Sequence, residues 1–144
     1  MTLSNPEISD TPAVAPPVLG WLRIEGLAAA ALSAILYARD GASWWLFAIL
    51  WLVPDLSMMG YWAGPRWGAR CYNTVHSYLL PAALAIAGFS LHRAVVLSIA
   101  LIWFNHIGVD RLLGYGLKYP AGFGFTHLGG LGKKSAPSAP VPPA

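Results

Sequence analysis

Four apolar stretches separated by short polar breaks dominate this chain. They run over 19–38, 43–62, 68–90 and 92–113. Each matches the ~20 mainly apolar residues that cross a bilayer as a helix. The connections are short, so successive helices run antiparallel. The pattern predicts an all-α, four-helix transmembrane bundle. Charge agrees: 10% of the 144 residues are charged and 56% are apolar, with a mean hydropathy of +0.54. A soluble domain carries about 25% charged residues. Trp44, Trp45, Tyr61, Trp62 and Trp67 fall near stretch ends, where aromatic belts form. Pro54 and Pro81 lie inside stretches and favour kinks there.

The ends of the chain are different. Residues 1–17 are polar, acidic and Pro-rich, with no basic n-region of a cleavable signal peptide. Residues 130–144 are rich in Pro, Ala and Ser. Both are expected to be disordered tails, leaving 18–129 as one transmembrane domain. Its last part, 114–129, is Gly- and aromatic-rich and too broken to span, and is expected to fold back over the mouth of the bundle as a loop.

The net charge of +3 and pI near 9.2 do not indicate nucleic acid, because the nine basic residues form no stripe or basic helix. They report orientation instead. Arg23, Arg66, Arg70, Arg111, Lys118, Lys133 and Lys134 fall on or near the side of both termini, and Arg39 and Arg93 on the other. The expected location is a bacterial inner membrane, multi-pass, with both termini cytoplasmic. The single Cys71 excludes an intrachain disulfide and a Cys-based zinc site.

The costliest polar residues all sit at one end of their stretches: Arg23 and Glu25, Asp55, Asn73 and His76, His106 and Asp110. In an up-down bundle they share the cytoplasmic leaflet. Ionisable groups at membrane depth usually face an interior or wet cavity. His106 and Asp110 are four apart and Asn73 and His76 three apart, so each pair shares a helix face. Asp55, His76, His106 and Asp110 together suit zinc, manganese or iron. Such inward-pointing sets are a known way to build metal sites in helix bundles. The plainer alternatives are an intrahelical His–Asp bond and, for Asp55, pairing with Arg66, Arg70 or Arg111.

Glu25 or Asn73 would orient water or substrate. Arg70, Arg111 and Lys118, with Tyr115, would bind an anionic head group. The bland roles are a capping Glu25, a snorkelling Arg23 and lipid-anchoring cations. Tyr119, Thr126 and His127 supply further polar groups in the loop, and His92 lies at the far end of its helix. Ser77 has no nucleophile-elbow context, and no phosphate-cradling or dinucleotide motif is present.

P-D-L-S-M-M-G-Y at 54–61, Y-N-x-x-H at 72–76, H-I-G-V-D-R-L-L-G-Y-G-L-K-Y-P at 106–120 and T-H-L-G at 126–129 resemble a bacterial family of small four-helix membrane proteins. That family is known only as a domain of unknown function, so the resemblance implies fold and location but no activity. The order P-D, H-S, H-x-x-x-D is also similar to membrane-bound, metal-dependent hydrolases related to zinc phospholipase C. On that resemblance Asp55, His76, His106 and Asp110 would be metal ligands. Ser57 stands where the second Asp of a P-D-x-D would be, and Asn73 replaces polar residues ahead of the His-Ser step. Both changes weaken metal affinity.

The reading from sequence is a membrane-embedded, metal-assisted hydrolase of a lipid-like or amphipathic substrate. Its partners would be membrane lipids, with a homo-oligomer left open. The rival is a non-catalytic membrane subunit or partner-binding protein whose polar cluster is structural. A proton or solute conduit fits least, because the outer halves of the helices are too apolar.

Overall fold

A computed structural model describes residues 14–130. The expected tails therefore lie outside the described residues, apart from 14–17 and 130. Pro16 and Pro17 are helical rather than part of a tail. Proline is at home in a first helical turn, where its missing N–H has no intrahelical role.

Helix α1 spans Pro16–Asp40 and α2 Trp44–Trp51. A 3-10 helix over Val53–Ala63 continues α2. Then come α3 (Pro65–Val75), α4 (Leu79–Ser90) and α5 (Ala94–Leu113). Three of these units are long and apolar enough to cross a membrane: Pro16–Asp40, Trp44–Ala63 and Ala94–Leu113. Large apolar side chains including Trp21, Leu32, Ile49, Leu79, Ile86 and Val95 face outward, as lipid requires. The fold is an all-α transmembrane bundle.

The third stretch departs from expectation. It is not one kinked helix but two, broken at 76–78. Pro81 brings no N–H to the Ser77 carbonyl, and the helix gives way one turn earlier. The break survives because other helices satisfy freed carbonyls. Trp103 Nε1 donates to Val75 O and Arg111 Nη2 donates to His76 O, each at 2.8 Å. The second stretch also changes form, at Pro54. Long 3-10 runs are uncommon and often mark function or strain; this one carries Asp55.

Helix α5 is the hub, packing on α1, α2 and α4. Its seam with α1 depends on two glycines. A Cβ on Gly108 would sit 2.7 Å from Ala30 N, and one on Gly26 would sit 2.8 Å from Gly108 O. Small residues let membrane helices approach this closely. Toward the other end, Tyr37, Leu101 and Ile102 form the apolar core, with Phe47, Leu50, Trp51 and Leu97 against it.

Helix α5 stops at Gly114, whose φ of 94° is a left-handed value that glycine adopts without strain. The remaining chain folds back, and β1 (Phe125–Thr126) pairs with β2 (Gly129–Gly130). Asn73 on α3 clamps this loop at both ends of its amide. Its Nδ2 donates to Lys118 O at 2.8 Å, and its Oδ1 accepts from Lys118 N at 2.7 Å.

Candidate metal centre

Four side chains from three elements converge beside the helix break. The 3-10 helix supplies Asp55, the end of α3 supplies His76, and α5 supplies His106 and Asp110. The two imidazoles face each other, Nε2 to Nε2, at 3.2 Å. Asp55 Oδ1 lies 3.5 Å from each Nε2. Asp110 Oδ2 lies 3.6 Å from His76 Nε2 and 3.8 Å from His106 Nε2. A tetrahedral ion with ligands ~2.0–2.1 Å away has ligand–ligand edges of about 3.3–3.4 Å. The His–His and His–Asp separations bracket that value. Asp55, His76 and His106 form the tightest set, with one donor atom each, all within 4.8 Å of one another, and Asp110 stands outside that set.

Proton counting makes the cluster unusual. His76 Nδ1 lies 3.1 Å from Tyr72 O, and a carbonyl only accepts, so Nδ1 carries the proton. With His76 neutral, its Nε2 is a lone pair aimed at the cluster. Tyr72 OH donates to Asp110 Oδ2 at 3.1 Å. With both imidazoles neutral and both carboxylates ionised, the four convergent atoms have at most one proton among them, and that one would be on His106. Lone pairs facing one another repel, and a cation relieves this. His106 Nδ1 is buried without a hydrogen-bond partner among the described residues.

The surroundings hold the imidazoles in place. Tyr72 stacks on His76 with centroids 3.7 Å apart and planes at 9°. Trp51 meets His106 edge-on at 4.8 Å. Both imidazoles are fully buried. The Asp55 side chain is 37% exposed against 14% for Asp110, so access to the centre is from the 3-10 helix side.

The other residues singled out by sequence fall elsewhere. Asn73 places its amide on the Lys118 backbone. Glu25 is exposed and lines a separate cleft of about 160 Å³ with Gly26, Tyr78, Arg111, His127 and Leu128. Arg111 donates to two carbonyls, Tyr115 O and His76 O. Arg70 is exposed, packs over Trp67 at 5.3 Å, and lines an outer cavity with Arg66 and Pro120. Arg23 lies over Gly114 at the start of the loop. Tyr115 is exposed, but its ring is 5.8 Å from Lys118 Nζ. Lys118 is buried. His127 Nδ1 accepts from Leu117 N at 2.8 Å, and burial pushes its pKa below the usual imidazole value.

Two residues near the centre went unread in the sequence. Tyr72 belongs to the Y-N-x-x-H run, and its four-residue spacing from His76 was the available signal. Asn105, beside His106, bridges three helices. Its Nδ2 donates to Ala30 O at 2.8 Å, and its Oδ1 accepts from Trp51 Nε1 at 3.0 Å.

The family described as a domain of unknown function (DUF4260) matches residues 20–131. The chain belongs to this family. The match takes in all five helices, apart from the first residues of α1, and all four convergent side chains. No curated protein and no solved structure matches the chain.

Proposed function

We propose that this protein is a metal-dependent hydrolase of the bacterial inner membrane, acting on an amphipathic, lipid-like substrate from the cytoplasmic leaflet. The observation that carries this reading is the convergence of His76 and His106 Nε2 with Asp55 Oδ1 and Asp110 Oδ2 at 3.2–3.8 Å. Two imidazoles and two carboxylates suit zinc, with manganese and iron as the other divalent choices. When bound, such an ion supplies hydroxide at neutral pH and polarises the scissile ester. His76 is fixed as a ligand by its Nδ1–H bond to Tyr72 O. Tyr72 OH holds Asp110 in the same way. Asp55, the most open of the four, lies where water and substrate would enter.

Both termini face the cytoplasm in this reading, which rests on the seven-to-two distribution of basic residues. The alternative, a non-catalytic subunit with a structural cluster, requires these groups to satisfy one another in pairs. Their His–Asp separations of 3.5–3.8 Å exceed those of good hydrogen bonds.

The test is hydrolysis of chromogenic carboxyl and phosphate esters in mixed micelles by detergent-purified protein. Turnover is expected with zinc, to be lost on chelation and restored by zinc. It is also expected to be absent from His106→Ala. Turnover that survives chelation or His106→Ala contradicts the reading.

A further inference from the structure

The loop beyond α5 carries a cation with no anion paired to it among the described residues. Lys118 is 3% exposed, and its Nζ has no hydrogen-bond partner among the described residues. Ring faces surround it: Phe123 at 4.0 Å, Tyr72 at 5.1 Å and Tyr115 at 5.8 Å from Nζ to centroid. The residue is not loosely placed, since Asn73 clamps its backbone N–H and C=O. Cation–π contact with these rings offsets part of the cost of desolvating the ammonium. Burying an unpaired ammonium costs more. Among the described residues no acceptor fills the place beside Nζ.

The metal centre is one ring away. Tyr72, whose face is near Lys118 Nζ, stacks on His76 and donates to Asp110. Two more buried groups near the entry side lack partners among the described residues, Ser57 Oγ and Tyr61 OH, both on the 3-10 helix with Asp55. Tyr61 packs edge-on against Phe123 at 5.6 Å. Arg111 is spent on carbonyls and Arg70 lies outside, so neither competes with Lys118 for an anion.

We propose that Lys118 is a substrate-binding cation beside this centre, holding a phosphate oxygen of an anionic phosphate ester. The proposal rests on the metal-centre reading. Charge supports it. A divalent ion, Lys118 and Arg111 outweigh Asp55 and Asp110 by two positive charges, an excess that an anionic ligand offsets. Lysine binds phosphate as a point charge, without the planar geometry an arginine imposes. Phe123, itself 46% exposed, closes over Nζ and must swing outward to admit the phosphate. Burial lowers the lysine pKa to about 8, so the charge is present at neutral pH.

The experiment is a calorimetric titration of full-length, zinc-supplemented protein in detergent with inorganic phosphate, repeated after chelation. Lys118→Met fits the aromatic cage and keeps the fold testable. It is expected to weaken phosphate binding about 10-fold or more, the size of one charge-assisted hydrogen bond, with zinc content unchanged. Lys118→Arg is expected to retain more of the affinity than Lys118→Met. Phosphate is expected to slow acetylation of Lys118, read by mass spectrometry, and Phe123→Ala to speed it in the absence of phosphate. Glycerol 3-phosphate and phosphatidic acid in mixed micelles distinguish a soluble ester from a lipid head group. Phosphate binding equal in wild type and Lys118→Met overturns the proposal, whether or not zinc is bound. Lys118-dependent phosphate binding in a protein that takes up no zinc overturns the metal reading instead.

Discussion

Two polar groupings along the same helices have opposite characters. Toward the Tyr37 end of the helices, away from the candidate metal centre, the buried side chains of Tyr37, Ser33 and Ser98 are hydrogen-bonded. Ser98 Oγ donates to Asp40 Oδ2 at 2.6 Å, and Tyr37 OH donates to Ser43 O at 2.6 Å. At the centre the opposite holds. With both imidazoles neutral and both carboxylates ionised, at least three of the four convergent atoms of Asp55, His76, His106 and Asp110 are acceptors, while Lys118 Nζ, Ser57 Oγ and Tyr61 OH have no hydrogen-bond partner among the described residues. Helices that satisfy their polar groups so thoroughly at one site have no structural need to leave them unmatched at another. Unmatched groups in a native interior call for a reason, and a ligand is one.

The comparison can be broken first at the seam that supports both groupings. In Gly108→Val the new side chain meets Ala30 backbone, which cannot yield. We expect a loss of about 3 kcal/mol, seen as a lowered thermal midpoint in detergent. Tyr72→Phe removes the hydroxyl from Asp110 but keeps the rings stacked. Zinc affinity should fall about 10-fold, measured by competition with a chromophoric chelator, with little change in the midpoint. Ser98→Ala is the mirror experiment. It should cost about 1 kcal/mol of stability and leave zinc affinity unchanged.

A further effect is one of pH. Lys118 titrates near 8 in the folded protein against 10.5 for an ordinary lysine, mainly through burial, with Asp110 raising and Arg111 lowering the value. Between those values the unfolded chain holds a proton the folded chain has released. Stability should therefore rise with pH through that window. Lys118→Met should show a shallower rise in parallel denaturation series.

The sequence made some of this legible and hid the rest for physical reasons. Charged residues stand out in apolar runs, so the shared end of Asp55, His76, His106 and Asp110 was visible from spacing alone. The break at 76–78 was visible only as a Pro81 kink. Its true position depends on Trp103 and Arg111, donors distant in sequence that arrive only with the fold. Asn105 was overshadowed by its neighbour His106. Lys118 looked like one of three equivalent cations, with Arg70 and Arg111, because its cage is built from α3 and from two separate points of the loop. Nothing local in the sequence announces that Arg70 faces out, Arg111 is occupied and Lys118 alone is enclosed.

The central claim is that the four convergent side chains hold one divalent ion. Elemental analysis of protein purified without chelating resins tests it most directly, with wild type set against Asp55→Ala and His106→Ala. The account predicts about one zinc per wild-type chain and a loss of affinity in each variant beyond the ~10–100-fold typical of outer-shell changes. Wild-type protein that takes up no zinc, manganese or iron, or variants that retain the metal in full, would contradict it.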